Sequence, residues 1–208
     1  MRPLLLGCLA WTARGADLYA VVNASRDAST DALLASYVEA VDRDLVPAAA
    51  DAEAVFEFAS DPVVSRYMTW ARHLDIEDSH EFLEDVATGW ASGEEYCWMI
   101  EHEARGAIGT VACVFSEQGA EIGYVLARSA WGQGFGFEAA RAVFDIARGL
   151  DELYRIWATC DPDNQASLRI LDALGMRCEG RLRRWSERPN HEDYDGAPRD
   201  VFMYAWTR

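Results

Sequence analysis

The sequence predicts an α+β fold in which a mixed, mostly antiparallel central sheet is flanked by helices. Three short apolar stretches between residues 96 and 126, separated by turn-like segments, predict a β-hairpin followed by a third strand. Helical and extended patterns then alternate from residue 136 to 174, which predicts one parallel pair of strands inside the sheet. With 208 residues, half of them apolar, the chain is long enough to bury a sizeable core.

The predicted elements follow one another regularly from residue 45 onward. Apolar residues at helical spacing predict helices over Asp51–Phe58 and Ile76–Trp90, the first of which ends near Asp61-Pro62. The later predicted elements are, in chain order, strands at Tyr96–Ile100, Ala107–Phe115 and Glu121–Leu126, a helix at Gly136–Arg148, a strand at Tyr154–Cys160, a helix at Asn164–Leu174, and strands at Arg177–Glu187 and Val201–Trp206.

Residues 1–45 differ from this pattern. A helix is predicted after the capping sequence Ser29-Thr30-Asp31, because Leu33, Leu34, Tyr37 and Val38 fall at helical spacing. We treat residues 1–45 as an N-terminal extension of unclear role and residues 46–208 as the folded domain.

Composition excludes several classes of function. The formal net charge is −16, and all 19 basic residues are arginines, so bulk binding to the phosphate backbone of nucleic acid is not expected. The same charge could attract a cationic substrate, but we interpret it first as a solvated acidic surface. No apolar run approaches the ~20 residues of a membrane-spanning helix, so no membrane partner is expected.

The five cysteines are Cys8, Cys97, Cys113, Cys160 and Cys178. Their number is odd and none forms a C-x-x-C pair, so the sequence suggests neither a disulfide framework nor a zinc site. We therefore expect free thiols, no metal and a cytoplasmic location.

The segment from Tyr124 to Ala140 carries the clearest sign of ligand binding. A predicted strand leads into Gly132, Gly134 and Gly136, and a predicted helix follows. Glycines allow several backbone N–H groups to converge, and the helix N-terminus adds unpaired amides and a positive dipole end. This arrangement predicts a phosphate or pyrophosphate site.

A dinucleotide site is one reading of the same glycines. Gly134-x-Gly136-x-x-Ala139 satisfies the loose dinucleotide fingerprint, and Asp161 ends the next predicted strand, where a ribose-binding acid belongs. The strands before this unit form a hairpin rather than parallel units, so a doubly wound fold fits poorly. A nicotinamide-dependent oxidoreductase remains an alternative.

Two segments together resemble a known family. The first is Trp131-Gly132-Gln133-Gly134-Phe135-Gly136-Phe137-Glu138-Ala139, and the second runs from Asn164-Gln165-Ala166-Ser167 to Leu174-Gly175-Met176. In spacing and order they resemble the GNAT N-acetyltransferases, in particular the RimJ/RimL-like branch, from about residue 45 to the C-terminus. Met176 stands where the branch usually has phenylalanine, a swap that a core tolerates.

The resemblance implies a fold and an activity. The fold would have splayed central parallel strands, and the activity would be direct transfer of acetyl from acetyl-CoA to a primary amine, either a protein N-terminal amine or a small amine. Partners would be acetyl-CoA, the amine acceptor and, as is common in similar enzymes, a second copy in a homodimer. A non-catalytic acyl-CoA-binding module is the main alternative from another class.

The resemblance also implies roles for individual residues. The backbone N–H near Leu126 would bind the thioester carbonyl, Asn164 would bind the pantetheine arm, and Ser167 would stabilise or protonate the leaving thiolate. Amides of the turn would hold the pyrophosphate, which assigns cofactor binding to Gly132, Gln133, Gly134, Phe135, Gly136 and Phe137. The tyrosine that many such enzymes use beside the leaving group has no evident counterpart.

A carboxylate must accept a proton from the acceptor ammonium, directly or through water. The candidates are Glu121 on the third predicted strand and Glu187 after the strand that begins at Arg177. Cys160 would line the cleft. The basic residues Arg181, Arg183, Arg184 and Arg188 are expected to form an outward strand face paired with local acids.

Overall fold

The computed structural model describes residues 46–208 and the backbone of two short strands, β1 (Ala10–Ala13) and β2 (Ala16–Tyr19), which pair antiparallel. The helix predicted after Ser29 lies outside the described residues. Of the described helices, none is long and apolar enough to cross a membrane.

Five helices belong to the domain. They are α1 (Ala52–Ala59), α2 (Pro62–Ser65), α3 (Ile76–Ser92), α4 (Phe135–Gly149) and α5 (Gln165–Ala173). The sequence predicted only a helix end near Pro62, but the Asp61 side chain accepts hydrogen bonds from Val63 N and Val64 N and begins the short helix α2. Proline is favoured at such a first helical position because its missing N–H would have no partner there.

The domain has a six-stranded sheet in the order β3-β4-β5-β6-β8-β7. The strands are β3 (Glu95–His102), β4 (Gly106–Ser116), β5 (Gly119–Leu126), β6 (Arg155–Cys160), β7 (Arg177–Ser186) and β8 (Arg199–Thr207). Every neighbouring pair is antiparallel except β5 and β6, so the predicted α+β class is confirmed. A single parallel pair also rules out the doubly wound topology that a dinucleotide fingerprint requires.

Helices cover both faces of the sheet. Phe144, one of the most buried side chains of α4, packs in a cluster with Ile122 of β5 and Ile156 of β6. On the opposite face Phe58 of α1 and Leu83 of α3 bury themselves against the β3–β4–β5 side of the sheet. Helices therefore pack on both faces of β5, whereas β6 packs in the cluster that contains α4.

Strands β5 and β6 diverge soon after they meet. They pair only at Ala120 with Ile156 and at Glu121 with Trp157. Beyond those positions β5 continues to pair with β4, and β6 continues to pair with β8, so a gap opens between them. The closed end is tight at Gly119, where an added Cβ would lie 2.3 Å from the Arg155 carbonyl oxygen.

We predict that Gly109 is required for the path of β5 at the open end. An added Cβ at Gly109 would lie 2.2 Å from the Val125 carbonyl oxygen and 2.8 Å from the Leu126 Cα, and backbone atoms cannot rotate away. Gly109→Ala should therefore lower the free energy of unfolding by about 1–3 kcal/mol or more, measured by chemical denaturation.

Gly123→Ala is the matched control, since an added Cβ at Gly123 meets nothing within 4 Å. On that strand alanine should be neutral or stabilising by up to about 1 kcal/mol. Equal stability of the two variants would show that β4 and β5 are not held this closely.

Candidate active site

A cavity of about 590 Å³ lies where β5 and β6 diverge. Four structural features form its wall: α2 with the turn after it, the end of β5, the glycine-rich turn into α4, and the first turns of α5. The lining residues include Val63, Val64, Tyr67, Met68, Tyr124, Val125, Leu126, Trp131, Gly132, Gly134, Phe135, Gly136, Phe137, Asp163, Asn164, Gln165, Ser167 and Arg169.

The backbone N–H of Leu126 faces the gap. Ala127 N donates to Ile108 O at 2.8 Å across the β4–β5 pair. Hydrogen-bonded and non-hydrogen-bonded pairs alternate in an antiparallel ladder, so the next pair, Gly109 with Leu126, directs its N–H and C=O groups away from each other. The Leu126 N–H therefore points toward β6, with which it does not pair. This leaves a buried donor available to a ligand in the cavity.

The glycine-rich turn presents its amides to the same cavity. Gly132 and Gly134 have left-handed backbones, with φ of +72° and +92°, which side chains rarely allow. Gly134 is the N-cap of α4 and provides no side-chain capping bond, so the first N–H groups of α4 remain available for an anion. The N–H groups of Phe135, Gly136 and Phe137 are those first donors, and their assignment to an anion site stays a prediction.

Two side chains fasten this turn to the sheet. Trp131 Nε1 donates to Leu126 O at 2.8 Å. Gln133 Nε2 donates to Ser129 O at 2.9 Å, and its Oε1 accepts from Arg105 Nη2 at 3.0 Å. The Gln133 side chain is exposed and not part of the cavity wall, so its predicted role rests on its backbone amide alone.

Asn164 and Ser167 lie together at the start of α5. Asn164 is the N-cap of this helix, and its Oδ1 accepts a hydrogen bond from Ser167 N at 3.2 Å. Its Nδ2 makes no hydrogen bond within residues 46–208 and can donate to a ligand. The Ser167 Oγ lies on the cavity wall, 2.8 Å from the Tyr124 phenol oxygen.

Tyr124 is a side chain of the candidate site that the sequence analysis did not identify. Burial raises the pKa of its phenol, against the opposing effect of the hydrogen bond to Ser167, so the hydroxyl keeps its proton at neutral pH. The signal was present in the alternation of β5, which places residues 124 and 126 on the same side of the strand. Only the three-dimensional approach of α5 shows that this side meets Ser167.

Cys160 lies close to the same pair without entering the cavity wall. Its thiol is buried, with Sγ 3.7 Å from Asn164 O. Burial raises the pKa of this thiol to about 11, so it is protonated at neutral pH and chemically quiet. It fills space behind Ser167.

Glu121 is half-buried at the closed end of the gap. Burial raises the pKa of its carboxyl to about 6, whereas the Thr159 hydroxyl and the Arg188 guanidinium lower it. A carboxylate with a pKa near neutrality is suited to accept and release protons. It does not contribute to the cavity wall itself, so a proton from the cavity would reach it through water.

Glu187 lies elsewhere. It is exposed in the segment after β7 and is absent from the cavity wall. The structure therefore brings Leu126, the glycine-rich turn, Asn164, Ser167 and Tyr124 to one cavity, with Glu121 beneath it and Glu187 outside.

The basic stretch of β7 differs partly from expectation. Arg181 pairs with Asp200 at 2.8 Å on the surface, as predicted. The prediction was wrong for Arg188, whose side chain is only 2% exposed. The pairing of β7 breaks register between Leu182 and Ser186, and β7 ends at Ser186, so strand alternation does not reach Arg188.

Asp161 has a structural partner that excludes the ribose-binding role. It is 1% exposed, and its Oδ2 accepts from Arg199 Nε at 3.0 Å. Arg199 also contacts Asp163 Oδ2 at 3.1 Å. Asp161, Asp163 and His191 bring ligand-type atoms within 4.8 Å of one another, but the Arg199 guanidinium already supplies the positive charge there.

Comparison with known proteins gives a consistent picture. A family model described as an acetyltransferase (GNAT) domain matches residues 44–177. The N-acetyltransferase p20 of Bacillus licheniformis, itself uncharacterized, is 32% identical over 161 residues, which cover 74% of this chain and 86% of p20.

Solved structures agree with these matches. A GNAT-family acetyltransferase from Bacillus anthracis is similar with a TM-score of 0.62 and 28% identity, covering 76% of this chain and 89% of that one. Mycobacterium smegmatis RimJ, solved in complex with CoA-disulfide, is similar with a TM-score of 0.63 and 26% identity, covering 76% of this chain and 78% of RimJ.

We predict that replacing Glu121 stabilises the fold at alkaline pH. Because the folded pKa is raised to about 6, the folded state favours the protonated carboxyl, and stability is lost as pH rises through that value. Glu121→Gln should therefore raise the free energy of unfolding by about 1–2 kcal/mol at pH 8, after allowance for solvent screening, and by nothing below pH 4.

The exposed Glu117→Gln is the control, and it should change stability by less than about 0.5 kcal/mol at either pH. If Glu121→Gln lowered the free energy of unfolding at pH 8, this would contradict the claim that burial disfavours the ionised form of Glu121.

Proposed function

The chain belongs to the GNAT acetyltransferase family, and from that premise we propose that it transfers acetyl from acetyl-CoA directly to a primary amine, either a protein N-terminal amine or a small amine. The observation that carries the proposal is the Leu126 N–H in the gap between β5 and β6, beside the Tyr124–Ser167 pair. In the proposed reaction this donor binds the thioester carbonyl, and the Ser167 hydroxyl meets the departing thiolate.

The glycine-rich turn supports CoA as the cosubstrate. Its free amides and the N-terminus of α4 suit a pyrophosphate. Arg169 of α5 is the one cationic side chain on the cavity wall and makes no ion pair within the described part of the chain. In a protein of net charge −16, an unpaired arginine at this place favours a polyanionic cosubstrate. CoA is also what the similar RimJ structure contains, as a disulfide.

The proposed reaction needs one base, one oxyanion donor and one acid. Glu121, working through water, takes a proton from the acceptor ammonium, and the free amine attacks the thioester carbon. The Leu126 N–H stabilises the oxyanion of the tetrahedral intermediate, an effect worth ~3 kcal/mol for a single donor in other enzymes. Collapse breaks the C–S bond, Ser167 Oγ donates a proton to the CoA thiolate, and the Tyr124 hydroxyl replaces that proton on Ser167. The second proton of the amine nitrogen leaves through water and restores the Tyr124 phenol, so the products are the neutral amide and CoA thiol.

Several finer assignments belong to the same proposal. The RimJ/RimL-like branch is supported by the residues of the two motifs and by the similarity to RimJ at 26% identity. We keep the division into an extension at 1–45 and a catalytic domain at 46–208, a cytoplasmic location and a homodimer as parts of the proposal. Glu187 stays a second candidate base, although it is exposed after β7 and lies outside the cavity wall.

The direct test is release of CoA thiol from acetyl-CoA across a panel of peptides with free N-termini, polyamines and amino acids. Ser167→Ala and Tyr124→Phe should each lower kcat about 10- to 100-fold, because the leaving thiolate loses its proton source. The rise in melting temperature with acetyl-CoA should remain in both variants, and NADH should give no such rise.

Two results would contradict the proposal in different ways. Undiminished turnover in the Ser167→Ala, Tyr124→Phe double variant would remove these hydroxyls from the mechanism. Binding of acetyl-CoA without turnover on any acceptor would favour the non-catalytic binding module, and a melting shift with NADH alone would favour the oxidoreductase.

A further inference from the structure

Arg188 is a buried cation without a counter-ion. Its side chain is 2% exposed, and no described carboxylate lies within ion-pair distance of it. The two nearest candidates are Asp161, which is already paired with Arg199 at 3.0 Å, and Glu121, which lies beyond 4 Å. Burying a charge is costly unless a partner compensates it, so an unpaired buried cation points to a partner that arrives from outside.

The Arg188 guanidinium makes hydrogen bonds through one nitrogen only, and one of its edges has no hydrogen-bond partner among the described residues. Nη1 donates to Ser186 Oγ at 2.7 Å and to its neighbour's carbonyl, Glu187 O, at 3.0 Å. Nε is buried with no hydrogen-bond partner, and Nη2 makes no hydrogen bond within residues 46–208. Nε and Nη2 form the side-on fork of a guanidinium, which matches the two oxygens of a carboxylate.

The loop that carries Arg188 is tied to the end of α2 and the segment that follows it. Asn190 Nδ2 donates to Ser65 O at 3.0 Å and to Trp70 O at 2.8 Å, and Asn190 Oδ1 accepts from Arg72 N at 2.7 Å. These bonds join the loop after β7 to the segment after α2, whose Tyr67 and Met68 line the cavity. The position of Arg188 is therefore set by the fold.

From this geometry we infer that Arg188 binds a carboxylate of the acceptor, so that the acceptor is an amine that also carries a carboxylate. The inference rests on the proposed function. The Arg188 guanidinium and the Glu121 carboxyl lie close enough to influence each other's pKa, although neither belongs to the cavity wall. An acceptor with an amine and a carboxylate on the same or neighbouring carbons would place the amine toward the base and the carboxylate on the fork. Burial lowers the pKa of the guanidinium without neutralising it, which leaves the charge available.

The test compares acceptors that differ only in the carboxylate. The first arm compares free amino acids with their carboxamides and tests an α-carboxylate. The second arm compares peptide amides that begin with Asp or Glu with the same peptides that begin with Asn or Gln, and it tests a side-chain carboxylate. In the preferred arm the carboxylate member should have a kcat/KM at least tenfold above its amide.

Arg188→Gln should lower kcat/KM for the carboxylate member by the same factor and leave the amide member unchanged. Arg188→Lys keeps the charge but loses the fork, so its kcat/KM for the carboxylate member should lie between the values of the wild type and of Arg188→Gln. Arg181→Gln, on the exposed face of β7, is the matched control and should change neither value. The melting temperature of Arg188→Gln should equal or exceed that of the wild type, because a buried unpaired charge has been removed.

Equal use of both members of every pair by the wild type would overturn the inference while leaving acetyl transfer intact. A melting temperature lowered by several degrees in Arg188→Gln, with the carboxylate preference retained, would assign Arg188 a structural role instead. If no acceptor turns over, the same pairs are added to CoA-saturated protein, and the absence of any melting shift specific to carboxylates would overturn the inference. Failure of acetyl-CoA itself to bind would overturn the proposed function alone.

Discussion

The divergence of β5 and β6 is the constraint on which the rest of the site depends. Two adjacent strands would normally satisfy each other's backbone groups along their whole length, because an unpaired buried N–H costs free energy. Here they pair at only two positions, Ala120 with Ile156 and Glu121 with Trp157. The interrupted ladder leaves the Leu126 N–H inside the domain, where a ligand carbonyl can replace the missing strand.

Helix packing on the sheet and close contacts between the glycine-rich turn, β5 and α5 define the shape of the gap. α4 packs on one face of the sheet in a cluster with β5 and β6, and α1 and α3 pack on the other face on the β3–β4–β5 side. Trp131 fastens the glycine-rich turn to Leu126 O at 2.8 Å, which couples the anion site to the strand that bears the free donor. Gly136 is tightly packed, since an added Cβ would lie 3.3 Å from both Leu126 Cδ1 and Ile170 Cδ1. The turn, β5 and α5 therefore act as one preorganised unit.

Much of this could be predicted from the sequence, because local rules decide it. Hydrophobic periodicity located all the main strands and helices of the domain to within a few residues. The three glycines before α4 predicted a turn with converging amides, and Asn164 marked the start of the predicted helix. The mixed sheet followed from the order of those elements.

The remaining features depend on contacts between distant segments. Tyr124 meets Ser167 across 43 positions of the chain, and no local pattern encodes that approach. Arg188 was expected on an outward face because strand alternation was extended past the register break of β7, where it no longer applies. Glu121 could be named as an acid in the sequence, but only its burial beneath the gap distinguishes it from the chain's 35 carboxylates.

The most direct test of the central claim is hydrogen exchange of the Leu126 amide, followed by NMR in ¹⁵N-labelled protein. Without ligand this amide should exchange faster than that of Val125, which pairs with β4, and acetyl-CoA should slow its exchange at least tenfold. CoA without the acetyl group should slow it far less, because no thioester carbonyl is present to accept the bond. Slow exchange in the free protein, or equal protection by CoA and acetyl-CoA, would contradict the claim that the gap between β5 and β6 holds the acetyl carbonyl.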